Sequence, residues 1–115
     1  MYVVIFRAKI RADLSESSAR EYDRVAQQMR DLAIGTYGCV DFVAMTDNGD
    51  ELAVSYWPDE ASIIAWREDA EHRKAQECGK RDWYIDYSVE VLTIERRYES
   101  ASTLKDAAKQ RGEDK

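Results

Sequence analysis

A single histidine, His72, sits in the charged run Glu71-His72-Arg73-Lys74 and is the side chain whose ordinary pKa lies nearest neutrality. That chemistry suits a general base for a phenol or quinol proton, or an iron ligand. The plain alternative is a hydrogen-bonded residue on a helix surface, and the sequence leaves both open. On a continuous helix His72 shares a face with Gln76 four residues on and Glu68 four residues back, whereas Trp66 falls on the face of Arg73. His72 and Trp66 therefore meet in one pocket only if the helix bends near Asp69-Ala70. Arg7 interrupts an apolar strand and Arg73 follows the histidine, so either has the charge to hold an enolate or phenolate oxygen. As a surface salt-bridge partner Arg73 needs no further role. Phe6, Trp57, Trp66, Trp83 and Tyr84 are candidates to wall a cavity for a flat polycyclic molecule, because such pockets pair aromatic surface with a few polar groups. Trp57 and Phe6 read first as core packing, and Trp66 and Tyr84 fit either account.

Other chemistries lack their signatures. There is no Gly-rich phosphate loop, dinucleotide fingerprint, Ser-centred nucleophile elbow or metal-ligand cluster. Flavin and nicotinamide sites are unsupported, and no cofactor is expected. Cys39 and Cys78 show no Cys-x-x-Cys spacing and read as reduced, structural thiols. With 23 acidic residues against 17 Lys plus Arg, the net charge of −6 offers no basic field for nucleic acid or an anionic membrane. The longest apolar run, Tyr2-Val3-Val4-Ile5-Phe6, is too short for a membrane span or a signal segment, and the chain reads as cytosolic. A chain of 115 residues, 44% hydrophobic and 35% charged, is one globular domain.

The elements that must position these residues follow from periodicity. Residues 2 to 10 carry β-branched and aromatic side chains on both alternating sets, Tyr2, Val4, Phe6, Ala8 and Ile10 against Val3 and Ile5, which predicts a strand covered on both faces. Ser15, Ser17 and Ser18 offer N-caps, with Glu21 completing a capping box from Ser18. The helix behind them stacks Tyr22, Val25, Ala26, Met29 and Ala33 on one stripe and ends at Gly35 and Gly38. Residues 39 to 46 form a second strand, Asn48-Gly49 a tight hairpin, and Leu52 to Trp57 a third strand. Pro58 stops that strand and Asp59 caps a second helix, with Ala61, Ile64, Ala65 and Trp66 on its inner side, running to Cys78 with Gly79 at its end. Residues 86 to 98 alternate again, Tyr87, Val89 and Val91 opposing Leu92 and Ile94, as a fourth strand. The order β-α-β-β-α-β predicts an α+β, ferredoxin-like antiparallel sheet with both helices on one face. Helices cover one face only, yet several strands are apolar on both, so a second copy of the chain is the simplest cover for the other face. The expected assembly is a homodimer packed sheet to sheet.

The segments Val54-Ser55-Tyr56-Trp57, Ala61 to Trp66, Glu71-His72-Arg73-Lys74-Ala75-Gln76, Gly79, Trp83-Tyr84, Tyr87, and Val91 through Glu95 to Tyr98 resemble the antibiotic biosynthesis monooxygenase (ABM) family of the dimeric α/β-barrel superfamily. Tyr2 to Phe6 fits its first strand, and the likeness spans about residues 2 to 99. The resemblance implies the same ferredoxin-like homodimer. It also implies either a cofactor-independent oxygenase, in which the carbanion of a quinol or polyphenol reduces O₂, or a haem-degrading enzyme. In the haem-degrading branch a tryptophan on this helix is followed ten residues later by an iron-binding histidine, and the first strand supplies an asparagine. Here Trp66 matches the tryptophan, but Gln76 occupies the histidine position and the first strand offers Arg7. The expected reading is a small cytosolic ABM-type monooxygenase in which His72 deprotonates and Arg7 stabilises the anion. Trp66, Tyr84, Trp83, Gln76 and Phe6 then contact a small hydrophobic aromatic ligand. A non-catalytic dimeric module holding such a ligand is the alternative from another class, and haem binding a third. Residues 1–99 form the domain; 100–115 read as a polar tail with a short helix from Thr103 through Arg111.

Overall fold

A computed structural model describes residues 1–78 and 83–100, with 75–78 as backbone only. Gly79, the Gln76 and Cys78 side chains and the expected tail helix lie outside the described residues. Six elements follow in the order β1 (Tyr2–Ile10), α1 (Glu16–Thr36), β2 (Asp41–Asp47), β3 (Asp50–Trp57), α2 (Glu60–Cys78) and β4 (Tyr84–Thr93). The strands form one sheet in the order β2-β3-β1-β4, and every neighbouring pair is antiparallel. This is the ferredoxin-like α+β arrangement expected from the sequence.

Local chemistry sets most boundaries. Ser15 is the N-cap of α1, and its hydroxyl accepts from the Ser18 amide at 3.1 Å. The capping box expected from Ser18 and Glu21 is therefore not used, because Ser15 meets the first free amides one turn earlier. Gly35 stays inside the last turn of α1, and Gly38 turns the chain out with a φ of 75°. Cys39 lies in that turn and is buried, so β2 begins at Asp41 and not at Cys39. Asn48 and Gly49 both take positive φ, as a two-residue hairpin between Asp47 and Asp50 requires. At α2 the Asp59 carboxylate accepts from the Ser62 amide at 2.7 Å.

The sequence expectation misplaces β4. The strand runs from Tyr84, which pairs with Ile10 across a bulge, to Thr93, opposite Tyr2. Beyond that point the Ile94 amide reaches the Met1 carbonyl and the chain has no further residue of β1 to pair with. The inner face of α2 is also corrected. Ile63 is 1% exposed and Trp66 half-buried, whereas Ile64 is 53% exposed and Ala61 and Ala65 are exposed. Four consecutive apolar residues, 63 to 66, permit two inward stripes, and the one that buries the indole prevails because a large aromatic carries the most apolar area. Trp66 packs at 5.2 Å from the Trp57 ring and 6.2 Å from Phe42, and its Nε1 donates to the Met29 carbonyl at 2.9 Å.

Two cores lie between helices and sheet. One joins Val4, Ala33, Cys39, Trp57 and Ile63; the other joins Tyr22, Val25 and Trp83. Register places Tyr2, Val4, Phe6 and Ala8 with Trp57, Ser55, Ala53 and Glu51 on this helix side. Val3, Ile5, Val43, Leu52, Val54, Tyr56 and Leu92 occupy the opposite face, where Val43, Met45 and Leu92 are exposed.

Candidate active site

Alternation in β1 and β4 places Phe6, Tyr84 and Tyr87 on the helix side of the sheet, where their rings meet. Phe6 lies edge-on to Tyr84 at 5.6 Å and stacks with Tyr87 at 6.1 Å, while Tyr84 and Tyr87 are 5.9 Å apart. From α1, Tyr22 meets Trp83 at 5.4 Å and Tyr84 at 5.8 Å, both edge-to-face. Lys74 of α2 sets its ammonium over the Trp83 and Tyr84 rings at 5.5 and 5.4 Å, a cation–π arrangement. Among the described residues no helix closes over this patch. Tyr87 is 64% exposed and Val91, on the same side of β4, is 41% exposed. Next to Val91 a cleft of about 280 Å³ separates α2 from β4, lined by Ile63, Ile64, Arg67, Glu68 and Glu71. The helix side of β4 is thus open towards both ends, a trough with aromatic rings near Tyr84 and Tyr87 and, past the half-buried Val89, aliphatic and charged side chains at the Val91 cleft.

One carboxylate adjoins the aromatic end. Glu51 belongs to the inward set of β3, half-buried opposite Ala8, and accepts a hydrogen bond from the Tyr22 hydroxyl. Burial raises its pKa above the usual carboxylate value, with Asp23 adding to the rise and the Tyr22 hydrogen bond opposing it. Burial, reinforced by Glu51, drives the Tyr22 phenol far up, and Tyr84 is pushed up to about 12, chiefly by burial. Both phenols are neutral donors at physiological pH. The indole Nε1 of Trp83 is buried and finds no hydrogen-bond partner among the described residues. What the patch can do chemically is stack a flat ring, accept a proton at Glu51, and donate from neutral hydroxyls.

The residues singled out in the sequence divide between this patch and other places. Phe6, Tyr84 and Trp83 come together in it. Trp66 belongs to the neighbouring core, wedged against Trp57 and Phe42, and Trp57 is fully buried beside it. His72 is exposed on α2, which runs as one helix from Glu60 to Cys78. Six residues of helix turn its side chain about 120° away from that of Trp66. Arg7 is exposed on the opposite, helix-free face, level with Leu52 and Ser88, beside a groove of about 770 Å³ that Ala8, Glu51 and Tyr87 also line. The structure therefore does not gather His72, Trp66 and Arg7 into one pocket. Arg73 forms an ion pair with Asp69 at 2.9 Å, and the same carboxylate accepts from Tyr37 at 2.7 Å. That agrees with its reading as a surface salt-bridge partner.

Glu51, Tyr22, Tyr87 and Lys74 were not chosen as site residues from sequence. A signal existed for the first: Glu51 shares the alternating set of Ala53, Ser55 and Trp57, so a charge was due on the buried side of a strand. The encounter of Tyr22 with it depends on how α1 crosses the sheet, which periodicity does not encode.

The β-α-β-β-α-β fold belongs to a class that sequence comparison also reaches. A family model, antibiotic biosynthesis monooxygenase, matches residues 1–77, and the chain belongs to that family. It is 30% identical over 97 residues to the uncharacterized protein YqjZ of Bacillus subtilis, covering 84% of this chain and 81% of that one. It is 28% identical over 94 residues to a jasmonate monooxygenase of Pyricularia oryzae, covering 79% of this chain and 42% of that protein. Among solved structures it is similar to SnoaB, a cofactor-independent oxygenase from Streptomyces nogalater, with a TM-score of 0.65 at 9% identity, covering 86% of this chain and 97% of that one. At that identity the likeness concerns the fold. Among the described residues no helix is long and apolar enough to cross a membrane.

Proposed function

We propose that this chain is a small cytoplasmic monooxygenase that binds an electron-rich, flat hydroxylated ring system in the trough along β4 and oxidises it with O₂. Phe6, Tyr84 and Tyr87 wall the site, Trp83 backs it, and Lys74 stands over it. The observation that carries this reading is the exposure of Tyr87 and Val91 on the face that helices cover elsewhere, since a core built for stability alone buries such side chains. In the chemistry proposed, an activated methylene or a phenol hydroxyl loses a proton, and the resulting anion, its charge delocalised onto ring carbon, transfers electrons to O₂. One oxygen atom enters the substrate as a carbonyl and the other leaves as water, so the substrate supplies every electron and the balance closes without an added reductant. Family membership supports an oxygenase, and the jasmonate monooxygenase among its relatives adds an alicyclic keto acid to the substrates worth testing.

The same proposal includes a homodimer through the helix-free face, supported by its exposed Val43, Met45 and Leu92. Arg7 then lies between subunits and His72 outside the trough, and neither is given a chemical role. Haem is a poorer fit to these residues: the Trp66 indole is committed to the Met29 carbonyl and to the core, and His72 faces solvent. A binding module that holds its ligand without turnover uses the same walls, and turnover separates the two.

Oxygen uptake with a panel of anthrones, quinols and jasmonate tests the proposal. Turnover of at least one anthrone or quinol is expected, and Tyr87→Ala, which removes an exposed wall and not a buried support, lowers kcat/KM about tenfold, the worth of one good aromatic contact. Uptake with none of the panel, or equal rates for both proteins, contradicts the oxygenase reading of this trough.

A further inference from the structure

Among the described residues the aromatic patch meets Glu51 and Tyr22 on one side and the Lys74 ammonium from the second helix on another. Glu51 projects from the third strand to the helix side of the sheet, beside Ala8, with the first strand between it and Tyr87. Its carboxylate is held by the Tyr22 hydroxyl. A carboxylate has two oxygens and about four acceptor positions, so one phenol leaves acceptor capacity unfilled. Tyr84 stands beside Tyr22, 5.8 Å ring to ring, and its other faces meet Phe6 and Tyr87. The titratable and charged groups around it are Asp23 and the Tyr22 phenol from the first helix, the Tyr84 phenol, Lys74 from the second helix, whose ammonium lies over the Tyr84 ring, and Arg7, Lys9, Asp47, Asp50 and Asp86, which line a groove with Glu51.

We infer that Glu51 is the hydroxyl-recognising and proton-accepting residue of this site, taking a hydrogen bond from a phenol or enol group of a ring stacked on Phe6, Tyr84 and Tyr87. This rests on the aromatic-trough reading above and adds to it the residue that recognises the ring hydroxyl and takes its proton. In the proton-transfer step the ligand O–H bond breaks, its electron pair stays on oxygen, and the proton passes to a Glu51 carboxylate oxygen while Tyr22 continues to donate to the same carboxyl. Burial raises the Glu51 pKa, which makes the carboxylate a better base than a solvated one and narrows the gap to a phenol. No such part falls to His72, which faces solvent on α2.

The test is anaerobic binding, followed by quenching of tryptophan and tyrosine fluorescence, of a dihydroxyanthrone and its dimethoxy analogue. For the wild-type chain the hydroxylated probe is expected to bind more tightly as pH rises through the Glu51 titration, because the ionised carboxylate is a stronger, charge-assisted acceptor than the neutral acid. The dimethoxy probe shows no such rise. Glu51→Gln, which keeps the size of the side chain and an acceptor for Tyr22, is expected to weaken the hydroxylated probe about tenfold, as loss of a charge-assisted hydrogen bond does. It also flattens the pH dependence and leaves the dimethoxy probe unchanged. If wild type and Glu51→Gln bind both probes alike, the Glu51 assignment is overturned and the aromatic trough stands. Failure of the wild-type chain to bind either probe overturns both. The wild-type pH series reads the same group without any substitution, so a folding defect in the variant leaves the inference open to refutation.

Discussion

Trp57→Ala is expected to destabilise the chain by about 3–5 kcal/mol, measured as a fall in the urea midpoint at unchanged slope. The indole is fully buried at the end of β3, where it joins Val4, Ala33 and Ile63 in the larger core and packs 5.2 Å from Trp66. Its Nε1 donates to the Ser55 hydroxyl at 2.8 Å, and Ser55 is itself 3% exposed. Truncation therefore opens a large cavity, strips Trp66 of a ring partner and leaves a buried hydroxyl without its donor, three losses of the same sign. For a domain whose total stability is of the order of 5–15 kcal/mol, that is enough to bring it near unfolding. The paired control is on α2. Ile63→Ala costs about 2–5 kcal/mol, whereas Ile64→Ala, at an exposed site, stays within about 0.5 kcal/mol. Equal effects at 63 and 64 would contradict the helix orientation described above.

The second large effect concerns the helix-free face. Val54 sits at its centre, opposite Ile5 on one side and Val43 on the other. In the proposed homodimer a two-fold axis repeats every contact, so Val54→Lys places two ammonium groups, one from each subunit, in a single apolar interface. Burying unpaired charge there is costly, and the dimer is expected to dissociate about 100-fold more readily. Size-exclusion chromatography with light scattering reads the change: a wild-type dimer at micromolar concentration and a monomeric variant with unaltered circular dichroism. A wild-type monomer at that concentration overturns the dimer, and an undisturbed dimer in Val54→Lys moves the interface elsewhere.

How much of this was legible in the sequence differs between the fold and the site. Strand alternation in residues 2 to 10, the Asn48-Gly49 turn and the Asp59 cap each depend on neighbours within a few residues, and each is found where the pattern put it. The inner face of α2 was not legible, because 63 to 66 are all apolar and only the position of Trp57 across the core decides between the stripes. Nor was the end of β4, which is set by where β1 runs out and not by any breaker of its own. For the candidate site, aromatic content at Phe6, Trp83 and Tyr84 was readable, but its partition was not. Arg7 and Phe6 are adjacent in sequence and face opposite sides of the sheet, as strand geometry requires of neighbours. His72 drew notice for its pKa, whereas Glu51 has an ordinary side chain and becomes a candidate base only because the fold half-buries it beside Tyr22 and Tyr84.

The trough along β4 is the central claim, and mapping a bound ring onto the chain tests it most directly. In heteronuclear NMR of the anaerobic protein titrated with a dihydroxyanthrone, the largest shift changes are expected at Tyr84, Tyr87, Val91 and Glu51, with Val43, Met45 and Arg7 unmoved. Changes confined to Val43, Met45 and Arg7, or none at all at saturating probe, would place no ligand in the trough and contradict the function proposed for it.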